Sequence, residues 1–389
     1  MFKINPLLQN PVFRIAVATT LLVASFAMYA PVIAVLLQQR GYSTVVIGTF
    51  AMIGFACIGV LMPVLPSLCA RFGEITVYRV GAAGWLLAGV GYAASDTLAM
   101  WSLAAVVGGI GSAAVWNATE SLIARHSPSE LRGRITGLYQ TALGAALAVG
   151  PFVPALSGLD AKQTLYAACA IQALALALVL HLRRVPVLAA TPAKSNPEPA
   201  MSTWRALQHV PGLALIAFVG GVFESGLSSI SAAHAAGLGM SLSAAASVVG
   251  ALGVGSFLLQ YPAGLLADQV KPGQLFGCAG VALLGSSLAV GWGHAIPWIM
   301  WVCAFIWGGV GGALYTLTMI RVAHQFMGRN TAAGTAAMIT GYTLGGAVGP
   351  VVGGAALQFG NTPGLAVWLS ALSLLVIVLA VRWRAPKIP

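Results

Sequence analysis

An all-α integral membrane fold, with twelve transmembrane helices in two pseudo-symmetric six-helix bundles, follows from three features of the sequence. First, hydrophobic residues make up 59% of the 389-residue chain and charged residues 7%, and mean hydropathy is +0.90. A helix crosses the hydrocarbon with about 20 apolar residues. The apolar runs here are long and continuous, without the alternation of barrel strands. Second, the chain repeats itself at about half its length. Gly108-Gly109-Ile110-Gly111 returns as Gly308-Gly309-Val310-Gly311, Gly150-Pro151 as Gly349-Pro350, and Leu68-Cys69-Ala70 aligns with Leu266-Ala267-Asp268. Third, with both termini cytoplasmic, all but Arg40 and Lys162 of the 19 Lys and Arg residues lie on or just inside that side. The positive-inside rule then requires an even number of spans.

In order, the sequence predicts spans over 12–36, 44–67, 75–95, 98–124, 135–157, 163–182, 211–233, 241–265, 274–293, 297–320, 332–357 and 364–381. The first is too long for a cleavable signal and lacks a small-residue cleavage site, so it reads as a retained helix. After the sixth comes Arg183-Arg184, then Thr191-Pro192-Ala193-Lys194-Ser195-Asn196-Pro197-Glu198-Pro199. Pro and polar residues oppose a packed core there. Residues 1–182 are therefore expected as an N-terminal six-helix half, 183–210 as a cytoplasmic linker and 211–389 as a C-terminal half. In the eleventh span Gly341, Gly345, Gly349 and Gly353 recur every four residues. Small residues let helix backbones approach in lipid, and Pro350 within the run frees a backbone acceptor and permits a bend. Gly150-Pro151 is its counterpart in span five.

Several function classes fall away. The net charge of +11 comes from basic residues scattered through short loops that would face anionic lipid, which does not suit nucleic acid. The five cysteines lie in or beside apolar spans without metal or disulfide spacing, so neither a metal nor any other cofactor is expected. There is no nucleotide-binding fingerprint and no nucleophile–base or zinc motif, so no enzyme is expected.

The acids that remain inside the membrane carry the functional argument. Of the 8 Asp and Glu residues, only Glu120 and Glu224 fall well within apolar spans. A central carboxylate costs several kcal/mol by insertion scales and is usually retained for function or paired. Glu224 lies about 13 residues into span seven, roughly 20 Å along the helix, with Ser228 one turn on. Glu120 lies nearer the cytoplasmic end of span four, with Trp116 and Asn117 at spacings that share its face. Arg321 ends span ten at a similar depth, and a Glu120–Arg321 pair would form a cytoplasmic gate. Trp307, Tyr315 and Thr318 follow helical spacing in span ten, and Tyr29 adds an aromatic hydroxyl in span one. Together they suit an amphipathic or aromatic solute of modest size.

Several motifs resemble the major facilitator superfamily. Gly264-Leu265-Leu266-Ala267-Asp268 is similar to the first part of that family's cytoplasmic loop signature, and Ala70-Arg71-Phe72-Gly73 keeps the Arg-x-Gly end of the matching loop. Each copy is half complete. The resemblance implies gating roles for Asp268, Arg71, Arg132 and Arg134, and a cavity lined by spans one, four, seven and ten. Gly345 to Gly354 is similar to the glycine–proline signature of proton-coupled antiporters, but stands in span eleven rather than five. The Arg those antiporters often carry in span four is Ala105 here. Trp116-Asn117-Ala118-Thr119-Glu120-Ser121-Leu122, Arg132-Gly133-Arg134 and Tyr261-Pro262-Ala263-Gly264 resemble the YcaD-like branch. The expectation is a secondary active transporter. It moves a small organic solute by alternating access, with protons as coupling ion, as a monomer in the lipid bilayer of a bacterial inner membrane. Uptake and efflux both remain open. A membrane sensor or scaffold on the same fold is the rival, and substrate flux would separate the two.

Overall fold

The computed structural model describes residues 11–126, 132–180, 182, 201–267, 269–293, 295–326 and 331–383. Among these the secondary structure is helical, and ten helices are long and apolar enough to cross a membrane. We label the spans α1 (Pro11–Gln39), α2 (Thr44–Leu61), α3 (Glu74–Ala94), α4 (Leu98–His126), α5 (Ile135–Ser157), α6 (Ala161–Leu180), α7 (Pro211–Gly237), α8 (Leu242–Ala267), α9 (Pro272–Trp292) and α10 (Ile299–Gln325). The last two expected spans lie in one segment, Thr331–Val381, as two helices that meet at a kink where Asn361 leaves helical geometry. Its arms before and after residue 361 are α11 and α12. The helix α3 is 21 residues long but does not reach the same apolarity, because Tyr78, Arg79, Trp85 and Tyr92 interrupt it. With α3 and the two arms, the expected twelve helical segments are accounted for.

Prolines decide where the expected spans break. Span two ends at Leu61, and after Pro63 a separate helix, Leu65–Phe72, begins with Pro66 in its first turn. Span five turns into a 3-10 segment at Gly150–Phe152, where Pro151 offers no backbone donor, and resumes as Val153–Ser157. Short polar residues start several spans. Asp160 and Gln163 cap α6 reciprocally, at 2.8 and 3.0 Å. Ser43, Thr97 and Ser241 accept from backbone amides at the starts of α2, α4 and α8. In the expected linker, residues 183–200 lie outside the described residues. Thr203–His209 is helical, because Ser202 caps it by accepting from the Arg205 amide at 3.3 Å.

Asn361 has φ 51° and ψ −153°, a region that costs a non-glycine residue about 1–3 kcal/mol. Its side chain is exposed, so little packing is at stake. Asn361→Gly is therefore expected to raise the thermal unfolding midpoint of the purified protein. A lowered midpoint would mean that other contacts of Asn361 outweigh the strain.

The chain divides into two compact units: Met1–Tyr29 with Ile53–Pro197, and Ala30–Met52 with Glu198–Pro389. The division in α1 falls beside Pro31. In the first unit the core gathers Ile15, Leu22, Tyr78, Trp85, Val115 and Ile123. In the second, the C-terminal end of α1 and the N-terminal end of α2 join α7 to α12, and the Thr44 hydroxyl donates to the Gly354 carbonyl at 2.6 Å.

The repeated motifs do matching work in each unit. Gly109 faces Gly54 and Cys57 of α2, and Gly309 faces Gly255 and Leu259 of α8. Gly150 meets Ala24 and Ala27 of α1, and Gly349 meets Val222 and Gly226 of α7. In each pair the fourth or fifth helix of a repeat lies against the second or first at backbone distance, as small residues permit in lipid. The other glycines of the motif diverge. Gly111 abuts Gly81 of α3, whereas Gly311 abuts Gly220 and the Glu224 amide of α7.

Candidate functional site

The second unit holds a polar cluster centred on Glu224. The helix α7 is not regular there: Val222–Gly226 forms a π-helical turn between α-helical stretches. Such single turns widen the backbone and often accompany functional side chains. Three neighbouring helices close on this turn where side chains are missing. A Cβ at Gly221 would lie 2.1 Å from the Tyr342 carbonyl, and one at Gly345 would lie 2.0 Å from the Phe218 carbonyl. The α7 and α11 backbones therefore touch on both sides of Tyr342 and set its ring beside Glu224. On the α10 side, a Cβ at Gly312 would stand 2.8 Å from Glu224 Oε1 and 2.7 Å from Gln260 Nε2. A methyl there would push the carboxylate and its amide partner from these positions.

The hydrogen bonds converge. Ser256 Oγ donates to Glu224 Oε1 at 2.5 Å, and Gln260 Nε2 donates to the same oxygen at 3.0 Å. Gln260 Nε2 also donates to Ser256 Oγ at 2.8 Å. Tyr342 OH donates to Glu224 Oε2 at 3.0 Å. Since the single Tyr342 proton is used there, the 2.5 Å contact between Ser225 Oγ and Tyr342 OH has Ser225 as donor. The carboxylate is thus the common end point of the Ser256, Gln260 and Tyr342 contacts. All its partners are neutral. The Tyr315 ring packs against Tyr342 with centroids 4.5 Å apart at 46°. Glu224, Ser225, Ser228, Ser256, Gln260, Tyr315 and Tyr342 are all partly exposed.

The first unit is built differently. Tyr78 OH, Thr19 Oγ1 and Thr119 Oγ1 form a buried chain with 2.9 Å steps, which ends as Thr119 donates to the Val115 carbonyl at 2.7 Å. Gln172 donates to Ser25 at 3.2 Å, and Ser25 donates to the Leu22 carbonyl at 2.7 Å. Both chains end on main-chain carbonyls, where they brace helices. The chain in the second unit ends on a carboxylate.

The other expected site residues are distributed as follows. Glu120 Oε1 accepts from Gln140 Nε2 at 3.3 Å. Arg321 Nη2 donates to the Ala267 carbonyl at 2.6 Å. Each thus finds a partner within its own unit. Asn117 accepts from Cys69 Sγ at 3.5 Å, and Trp116 is exposed. Tyr29 is buried against Phe26 and Tyr92. Trp307 and Thr318 are buried as well, and Thr318 donates to the Tyr315 carbonyl at 2.7 Å. Both side chains therefore lie inside the second unit, whereas Tyr315 is partly exposed. Arg71 is exposed, over the Phe72 ring. Arg132 and Arg134 start the helix of span five. Asp268 lies outside the described residues.

Sequence reasoning does not single out Tyr342, Ser256, Gln260 or Gly312. The available signal is faint: Ser256 and Gln260 are the polar residues one turn apart in an otherwise apolar stretch of span eight. Tyr342→Phe would leave Glu224 Oε2 without its donor and the Ser225 hydroxyl without its acceptor. A fully buried group left unsatisfied costs about 1–3 kcal/mol, and these partly exposed groups should cost less. The variant is expected to unfold at lower temperature than the wild type in detergent; an unchanged midpoint would show that water replaces the hydroxyl freely.

Residues 15–252 and 213–389 match the family model described as Major Facilitator Superfamily. A curated relative from Bacillus subtilis (strain 168), the uncharacterized MFS-type transporter YfkF, is 25% identical over 371 residues, covering 93% of this chain and 92% of the relative. The fold resembles that of nucleoside transporter NupG, with TM-score 0.76 at 12% identity over 96% of this chain and 98% of the other. It also resembles the D-xylose-proton symporter, with TM-score 0.71 at 14% identity over 96% and 97%. A bacterial homologue of the human lysosomal transporter Spinster aligns with TM-score 0.72 at 16% identity over 97% and 96%. The chain, a multi-pass membrane protein with a helical fold of this kind, belongs to the Major Facilitator Superfamily and is a transporter rather than an enzyme.

Proposed function

We propose that the chain moves a small organic solute by proton-coupled alternating access, with Glu224 as the carboxylate that takes up and releases the coupling proton. The observation that carries this reading is the convergence of the Ser256, Gln260 and Tyr342 donors on Glu224. A carboxylate inside the membrane with neutral partners has a charge to neutralise, and a proton does so reversibly. The named activity of one structural neighbour, a D-xylose-proton symporter, is of this kind. Glu120 is the second candidate for proton transfer. Asp268, Arg71, Arg132, Arg134 and Arg321 remain proposed for cytoplasmic gating, and Gly150-Pro151 and Gly349-Pro350 for bending. The distribution of basic residues supports a topology with both termini cytoplasmic in a bacterial inner membrane, and the proposed working unit is the monomer.

The test is reconstitution of the full chain in vesicles and a solute screen with and without an imposed pH gradient. Flux of one solute driven by the gradient in the wild type and lost in Glu224→Gln supports the reading. Gradient-driven flux that survives in the variant moves the coupling role elsewhere. A sensor or scaffold would carry no solute.

A further inference from the structure

We infer that the transported solute is an organic cation, an amine or quaternary ammonium whose charge rests against Glu224 and the rings of Tyr315 and Tyr342. This rests on the reading of Glu224 given above. Among the described residues of the second unit Glu224 is the single acid, and its hydrogen bonds come from a serine, an amide and a phenol, all neutral. The basic end of α10 does not supply a counter-charge. Arg321 is nine residues beyond Gly312, roughly 13 Å along the helix, and its guanidinium is engaged by the Ala267 carbonyl. Among the described residues of this unit, the site thus has a carboxylate, three donors that orient it, and no cation in contact with it.

The chemistry of the walls points the same way. Tyr315 and Tyr342 present two tilted rings 4.5 Å apart, both partly exposed. Aromatic faces attract ammonium groups, and more so when the site is desolvated. The α10 side of the carboxylate is shut by the backbone at Gly312, which leaves the tyrosine side for a ligand. A neutral polyol would add hydroxyls to a carboxylate already given three donors and would leave its charge uncompensated. An anionic solute would be repelled. The titratable groups facing Glu224 are Tyr315 from α10 and Tyr342 from α11; α8 contributes the neutral Ser256 and Gln260. A cation that binds while Glu224 carries a proton therefore displaces that proton to solvent, one for one.

Two probes of matched size and shape test the inference: tetraphenylphosphonium and tetraphenylborate, with benzyltrimethylammonium as a smaller cation. Equilibrium dialysis with the purified full-length protein is expected to show saturable binding of at least one cation and none of the borate. Affinity should fall about tenfold or more in Glu224→Gln, and several-fold in Tyr315→Leu. Glu224→Asp, which keeps the charge, should retain binding. Cation binding should release protons into weakly buffered medium. Absence of saturable binding of either cation, or equal binding by wild type and Glu224→Gln, overturns the inference. If the cations fail while Glu224→Gln still abolishes gradient-driven flux, the substrate class falls and proton coupling stands. If gradient-driven flux survives in Glu224→Gln, the coupling reading itself falls.

Discussion

Glu224→Gln is expected to reduce gradient-driven solute flux to the level of protein-free vesicles while leaving the protein folded in the membrane. Glutamine has the size of glutamate but cannot ionise, so it neither carries a proton nor attracts a cation. Its effect on the hydrogen bonds is specific. Glu224 accepts from Ser256 and Gln260 at one oxygen and from Tyr342 at the other. A glutamine carbonyl can serve one of these groups, but its amide nitrogen then meets a donor. One bond is lost and the Tyr342 or Ser256 hydroxyl must turn, at a cost of about 1–3 kcal/mol for a buried group left unsatisfied. That loss lowers stability without accounting for a complete loss of flux. Glu224→Asp separates the two effects, because it disturbs the same bonds and keeps the charge. It should retain measurable gradient-driven flux. If the aspartate variant is as inactive as the glutamine variant, the geometry of the bonds rather than the charge limits transport.

What the sequence shows of this site, and what it hides, has a physical basis. Glu224 stands out in the sequence because a carboxylate amid apolar residues is costly in lipid. Its partners do not. Serine, glutamine and tyrosine are tolerated at many depths, and which of them face Glu224 depends on how closely α8, α10 and α11 approach α7. That distance is set by Gly221, Gly312 and Gly345, three of the 47 glycines of the chain. The π-turn at Val222–Gly226 likewise has no motif; it shows only once the three neighbours are in place. Helix breaks are more legible. Gly150-Pro151 and Met62-Pro63 interrupt hydrogen bonding by their own chemistry, although span two still reads as one apolar run. Asn361 marks a third break: the sequence suggests two separate spans there, and the structure has two helices that meet at a kink where this residue leaves helical geometry. The repeat at half-length is visible as paired glycines, and the second-helix contacts of Gly109 and Gly309 give it a packing role.

Gly308→Ala is expected to be among the most destabilising glycine-to-alanine changes in the second unit. A Cβ at this position would lie 1.9 Å from the Leu252 carbonyl oxygen, 2.6 Å from its carbon and 3.0 Å from its Cα. All three atoms are backbone, so no rotamer change relieves the clash; α8 and α10 must separate. The facing glycine is equally constrained, since a Cβ at Gly255 would lie 2.0 Å from the Phe305 carbonyl. Overpacking of a close contact typically costs about 1–3 kcal/mol, and here the contact is shared by two helices along the same seam. Separation would also draw Ser256 and Gln260, one and five residues beyond Gly255, away from Glu224. Gly308→Ala should therefore lower the unfolding midpoint and, in protein that remains folded, reduce flux. Gly285→Ala on α9 is the matched control: nothing lies within 4 Å of its added Cβ, and alanine favours the helix by up to about 1 kcal/mol. Its midpoint should be unchanged or raised. Equal midpoints for the two variants would mean that the α8–α10 seam yields to a methyl group, and the glycines of the repeated motif would then be dispensable for packing.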